Sequence, residues 1–217
     1  MVSPRNTSPR SASRGGARAG GERAAVLEAA AKLFESQGYS RTTMDEIARS
    51  AGVSAQAIRA HGPKVALLGA AFFARFMGRE QERALASFEM APFDCFDEPS
   101  IARILRPLID GIAASVGVFR AIEVAAASDP EVAALLTDLR FAHRTDMLLM
   151  LAQHPALSAR RRQGVADVLI LTVSHAGYDH LVLRCGWSRD RFRRWSAAQI
   201  VTSVEAVLPQ PTVKDGR

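Results

Sequence analysis

The stretch IARSAGVSAQAIR, Ile47 to Arg59, limits what this chain can fold into more than any other. Two short apolar-patterned segments meet at one Gly, and packing two helices steeply through so short a turn leaves few residue choices. Ala48 is small where the helices approach. Gly52 can take the left-handed conformation that such a turn needs. Ile47, Val53 and Ile58 can form the small shared core, so all five requirements are met in register. Just upstream, Thr43-Met-Asp-Glu46 has the form of a capping box, in which Thr43 satisfies a free backbone N–H and Glu46 reaches back. Ser54 can cap the second helix of the pair, which should run to about Ala60. Its outer face is left to Ala55, Gln56 and Arg59. In a DNA-binding version of the motif these positions enter the major groove, where Gln can hold an adenine edge by two hydrogen bonds and Arg a guanine edge or a phosphate. The rival reading is an ordinary helical hairpin with solvated polar residues.

Charge narrows the partners. Residues 1–68 carry 10 Lys and Arg against 5 Asp and Glu, whereas the remainder carries 18 against 17. A basic excess at one end points to a polyanion, or else to a solvated tail. Arg5, Arg10, Arg14 and Arg18 stand among Ser, Gly and Pro with no acidic residue, and residues 1–20 read as a disordered basic arm. That arm leads into no continuous apolar stretch, so a secretory signal is not expected, and a cytoplasmic protein is. No apolar run approaches the ~18 residues of a membrane span. With 217 residues the chain can bury a core without metal or disulfide support. Cys95 and Cys185 are far apart and match no metal-ligand spacing; both are expected to be buried thiols rather than a bridge.

The rest of the chain reads as helix. Val26, Leu27, Ala30, Leu33 and Phe34 set a helical period from Glu22 to a stop at Gly38. Gly62-Pro63 breaks the pattern, and Pro63 suits the first turn of a long amphipathic helix to about Phe88. After a connection over 90–99, helices fit 100–116, 118–127, 131–153, 158–185 and 189–208, with Pro130, Pro155 and Gly186 marking breaks. No convincing β-alternation and no internal repeat is found. The expected fold is all-α, with about nine helices.

The run VLEAAAKLFESQGYSRTTMDEIARSAGVSAQAIRAHGPKVALL, Val26 to Leu68, combines an apolar first helix, an aromatic after the Gly, paired Thr residues, the IA and AGVS elements, and a Lys-led entry into helix four. It resembles the N-terminal DNA-binding region of TetR-family transcriptional regulators. The resemblance implies a three-helix head on a long helix leading to a C-terminal helical bundle. It also implies a homodimer on a palindromic double-stranded DNA operator, and a ligand-responsive repressor. The expected organisation is an arm over 1–20, a helix-turn-helix domain over 21–65, a ligand-binding and dimerisation domain over 66–208 and a tail over 209–217. The DNA contact set expected on this basis is Thr42, Thr43, Ser54, Ala55, Gln56, Arg59, His61 and Lys64. The chain departs from the family after Ile58: an aromatic-rich segment similar to YRHF is common there, whereas here Arg59-Ala60-His61-Gly62-Pro63-Lys64 stands, one residue shorter. The Tyr often used for a phosphate contact is absent; Arg59 can replace it, and His61 is expected to seal the end of the short helix.

A small apolar or amphipathic effector would lie among helices four to eight, where Phe73, Phe76, Phe119, Met147, Met150, His175 and Tyr178 offer apolar bulk and a few polar tips. The apolar helices of 158–208 suit the dimer interface, with core inside one subunit as the rival use. His175 and Asp179 at i, i+4, and His143 and Asp146 at i, i+3, can each share a helix face, which alone is insufficient for catalysis. No metal-ligand cluster, phosphate loop or nucleophile motif is present, so neither a metal, a cofactor, a catalytic residue nor a membrane partner is expected. The remaining alternatives are an architectural DNA-binding protein without an effector and, further off, a helical enzyme.

Overall fold

The computed structural model describes residues 12–78, 97–152 and 157–207, with side chains from Gly20 onward. Every regular element among them is helical: α1 (Ala12–Gln37), α2 (Met44–Ala51), α3 (Ala55–Ala60), α4 (Lys64–Met77), α5 (Glu98–Ala126), α6 (Pro130–Ala152), α7 (Ala159–Thr172), α8 (His175–Tyr178) and α9 (Arg189–Val207). A wide π turn, Asp179–Arg184, continues α8. Nine α-helices among the described residues match the expected class. Arg5, Arg10, Cys95, the tail over 209–217 and most of the 90–99 connection lie outside the described residues.

Several boundaries differ from the periodicity. The first helix begins at Ala12, ten residues before Glu22, so Arg14 and Arg18 stand on helical backbone rather than in a disordered arm. The fourth helix stops at Met77, not near Phe88, because Gly78 closes it in the left-handed conformation. A break expected near Gly117 does not occur: α5 runs unbroken through it. Gly111 and Gly117 instead sit where the helix passes close to neighbours. A Cβ on Gly111 would lie 2.5 Å from the Phe76 carbonyl, and one on Gly117 would lie 2.9 Å from Glu35 Cγ. The single helix expected over 158–185 is interrupted at Val173-Ser174, where the Ser174 hydroxyl caps the restart at His175.

Two apolar cores share α5 and α6. One joins α1 to α4 with Val118, Ile122, Val132 and Leu136; the other gathers Ile101, Leu105, Met147, Leu169, Phe192 and Ile200 from α5, α6, α7 and α9. At 29 residues, α5 is about 43 Å long and reaches both. Phe76, at the end of α4, packs against both cores, which puts α4 between the head and the body.

Candidate DNA-reading face and interior cavity

The head is assembled as the local sequence dictates. Thr43 accepts from the Glu46 N–H at 3.2 Å, while the Glu46 carboxylate accepts from the Thr43 N–H at 2.8 Å and its hydroxyl at 2.9 Å, a complete capping box. The Thr43 backbone N–H, and then its hydroxyl, hold the Glu46 carboxyl below its ordinary range. Gly52 takes φ 71°, and Ser54 caps α3 by accepting from the Ala57 N–H at 3.0 Å. Ile47, Ala48 and Ile58 are buried; Val53 is half-buried against them. This leaves Thr43, Ser54, Ala55, Gln56 and Arg59 exposed. Ser54 to Arg59 belong to one short helix and its cap, a stub able to enter a major groove.

Three expected contacts are placed otherwise. Thr42 is fully buried; its hydroxyl donates to the Gly38 carbonyl at 2.8 Å and accepts from Gln37 Nε2 at 3.3 Å, so it holds the α1–α2 turn and has no outward face. Lys64 turns inward: Nζ donates to the carbonyls of Tyr39 at 3.0 Å and Thr42 at 3.1 Å, and lies 4.0 Å above the Tyr39 ring. It therefore ties the start of α4 to the α1–α2 turn and is spent as a backbone donor. His61 ends α3 with Nε2 3.5 Å from Glu22, while its carbonyl accepts from Arg23 at 3.1 Å. These contacts seal α3 against α1, the packing role expected for His61.

In the body, a cavity of about 630 Å³ opens among α4, α5, α6, α7 and α8. Of the expected ligand residues, Phe73, Phe76, Phe119 and His175 line it. Met147, Met150 and Tyr178 do not; all three are buried in the second core, Tyr178 edge-on to Phe192. Sequence reasoning missed Phe72, Leu108, Ile112, His143 and the acidic Asp146 on the wall, and the ion pairs Arg140–Glu123 and Arg144–Asp167 beside them. The His143/Asp146 spacing was the available signal for the α6 side of this wall. Phe141 and Leu171, each about 70% exposed, also border the cavity and give it an apolar rim.

His175 is the polar centre of the aromatic end. Its ring stacks on Phe119 with centroids 4.3 Å apart and lies within 5.8 Å of Phe72 and Phe76. Nε2 stands 2.8 Å from Ser115 Oγ, whose hydroxyl donates to the Gly111 carbonyl at 2.8 Å. Burial lowers its pKa to about 3, and the charge of nearby His143 adds to that. Burial likewise pushes His143 down, partly offset by its hydrogen bond to the Val173 backbone. Both rings are therefore neutral at pH 7. Asp179 is not a partner of His175: it is taken by Arg120 and Arg184. No group of three or more His, Cys, Asp or Glu suited to a metal occurs among the described residues. Cys185, expected buried, is exposed with a free thiol near His180, because the π turn carries it to the surface.

The head is a helix-turn-helix of the kind that enters a DNA major groove, carried on an all-helical body. Residues 26–61 match the model of bacterial regulatory proteins, tetR family. A transcriptional regulator from Rhodococcus sp. Rha1 shares the fold, with a TM-score of 0.62 and 20% identity over 86% of this chain and 99% of that one. A TetR transcriptional regulator from Rhodococcus sp. RHA1 matches at TM-score 0.46 and 17% identity, over 89% of this chain and 99% of that one. No curated protein matches the chain. The likeness to the tetR family thus lies in the helix-turn-helix head, residues 26–61, and the body shares the fold of the first of these regulators.

Proposed function

We propose that the chain is a ligand-responsive repressor that binds a palindromic operator as a homodimer and leaves it when the body cavity fills. The observation that carries this is the position of α4. Phe72, Phe73 and Phe76 on α4 line the cavity, Lys64 at its start grips the α1–α2 turn, and Arg75 pairs with Glu28 and Glu35 of α1. A molecule that displaces the three rings moves a helix fastened to the head at both of these points. Release then requires the ligand to prefer the displaced arrangement, with coupling of ~1–3 kcal/mol.

Gln56 and Arg59 are the proposed readers, with Thr43, Ser54 and Ala55 beside them. One six-residue helix reads few base pairs, so a two-fold pair of heads on half-sites ~34–36 Å apart suits it. For the pairing surface we take α7, where Val168 and Leu171 lie exposed one turn apart. Light scattering should give twice the 23.4 kDa chain mass, and Val168→Glu with Leu171→Glu should give monomers with weakened DNA binding. A wild-type monomer that binds one half-site with full affinity contradicts the dimer. Among the described residues no helix is long and apolar enough to cross a membrane, and operator DNA and a small molecule are the partners proposed.

A further inference from the structure

The chemistry of the cavity wall narrows its ligand. Ser115 has one hydroxyl proton, and the Gly111 carbonyl 2.8 Å away can only accept it. The proton between Ser115 Oγ and His175 Nε2 therefore belongs to the imidazole, and Nδ1 carries the lone pair. Among the described residues Nδ1 has no hydrogen-bond partner. His143 repeats the pattern on α6: Nε2 is buried without a partner, so the bond to the Val173 backbone uses the other ring nitrogen. Both imidazoles are neutral and set among Phe rings; the free Nε2 of His143 is fully buried in the wall, which leaves His175 Nδ1 as the acceptor for an occupant. Its guanidiniums, Arg140 and Arg144, already face Glu123 and Asp167, which leaves no unpaired cation on the wall among the described residues.

We propose that the cavity takes an uncharged, largely aromatic molecule bearing a hydroxyl or N–H donor, which it gives to His175 Nδ1 while its rings pack on Phe72, Phe76 and Phe119. The proposal rests on reading the cavity as an effector site. Without a donor, an occupant would desolvate the imidazole and leave the acceptor unsatisfied, which disfavours plain hydrocarbons and ethers.

Calorimetry on the full chain at pH 7 tests this with 4-phenylphenol, its methyl ether, biphenyl, biphenyl-4-carboxylate and a trimethylammonium-substituted biphenyl. The phenol should bind roughly tenfold tighter than the ether, one buried hydrogen bond's worth of discrimination. His175→Phe keeps the ring and removes the acceptor, so it should erase that ratio while the ether still binds. Nitrogen NMR of the wild-type protein gives a second measurement: His175 should be protonated on Nε2, and the phenol should shift Nδ1 alone. Equal affinity for phenol and ether, a protonated Nδ1, or tighter binding of the carboxylate or the ammonium overturns the inference and leaves the effector site standing. Failure of every probe to bind overturns both.

Discussion

Lys64 is where the structure and the family pattern make opposite demands, and Lys64→Met separates them. Met keeps the apolar stem and removes the ammonium. The substitution takes the Lys64 donor from the Thr42 carbonyl, leaves the Tyr39 carbonyl only the Thr42 N–H at 3.2 Å, and removes a cation from the face of Tyr39. A hydrogen bond from a charged donor contributes about 1.5–3 kcal/mol, and a half-exposed pair less than two full bonds; with the ring contact the loss comes to about 2–3 kcal/mol. For a chain of this size each kcal/mol moves Tm by about 2–4 °C, so a drop of about 4–12 °C is expected, read by helical circular dichroism. Random duplex DNA titrated across a salt series supplies the second axis. Because Lys64 Nζ is engaged inside the head, the slope of log affinity against log salt should stay within error of wild type. An unchanged Tm with a slope flatter by ~1 would make Lys64 a phosphate contact and refute the reasoning.

Gln56→Ala should relax preference at one position per half-site, at ~1–3 kcal/mol of lost discrimination, in a binding-site selection. Arg59→Gln should weaken operator and random DNA alike and flatten the salt slope by ~1; loss on the operator only would make it a base reader. Gly111→Ala pushes a methyl against the Phe76 carbonyl and should cost about 1–3 kcal/mol in urea unfolding while altering probe binding in the cavity. His175 binds its proton more weakly folded than unfolded, so stability is full above pH 6.5 and falls as pH drops toward 3. The loss is several kcal/mol in order of magnitude, and His175→Phe should flatten this part of the pH profile of urea unfolding.

What could be read from the sequence was what is decided locally. The capping box, the left-handed Gly52 and the Ser54 cap each depend on residues within four positions, and each stands as its spacing implied. The inward contacts of Lys64 and Thr42 were not legible because they depend on carbonyls and side chains that only the folded turn brings near; Lys64 reaches back 25 residues to Tyr39. Gly117 looked like a stop because a Gly inside a helical pattern marks either a break or a close approach, and only Glu35 on a distant helix decides which. The interruption after Val173 carries no Pro. Its signal was Ser174, three residues before a Gly whose Cβ would lie 2.6 Å from the Thr172 carbonyl. For the cavity, aromatic residues were easy to nominate and hard to sort: Phe76 and Tyr178 look alike in sequence, yet one lines the cavity and the other fills the core.

On the proposed function, a pair of α3 helices reads a two-fold operator. Selection from a random duplex pool with the purified full-length chain, sequenced over successive rounds, tests it most directly. The expected product is one enriched motif with two inverted half-sites, centres ~34–36 Å apart or a multiple of that along the helix axis. A pool that stays random in sequence while the protein coats it would contradict the claim and leave a DNA-binding protein that does not select its site.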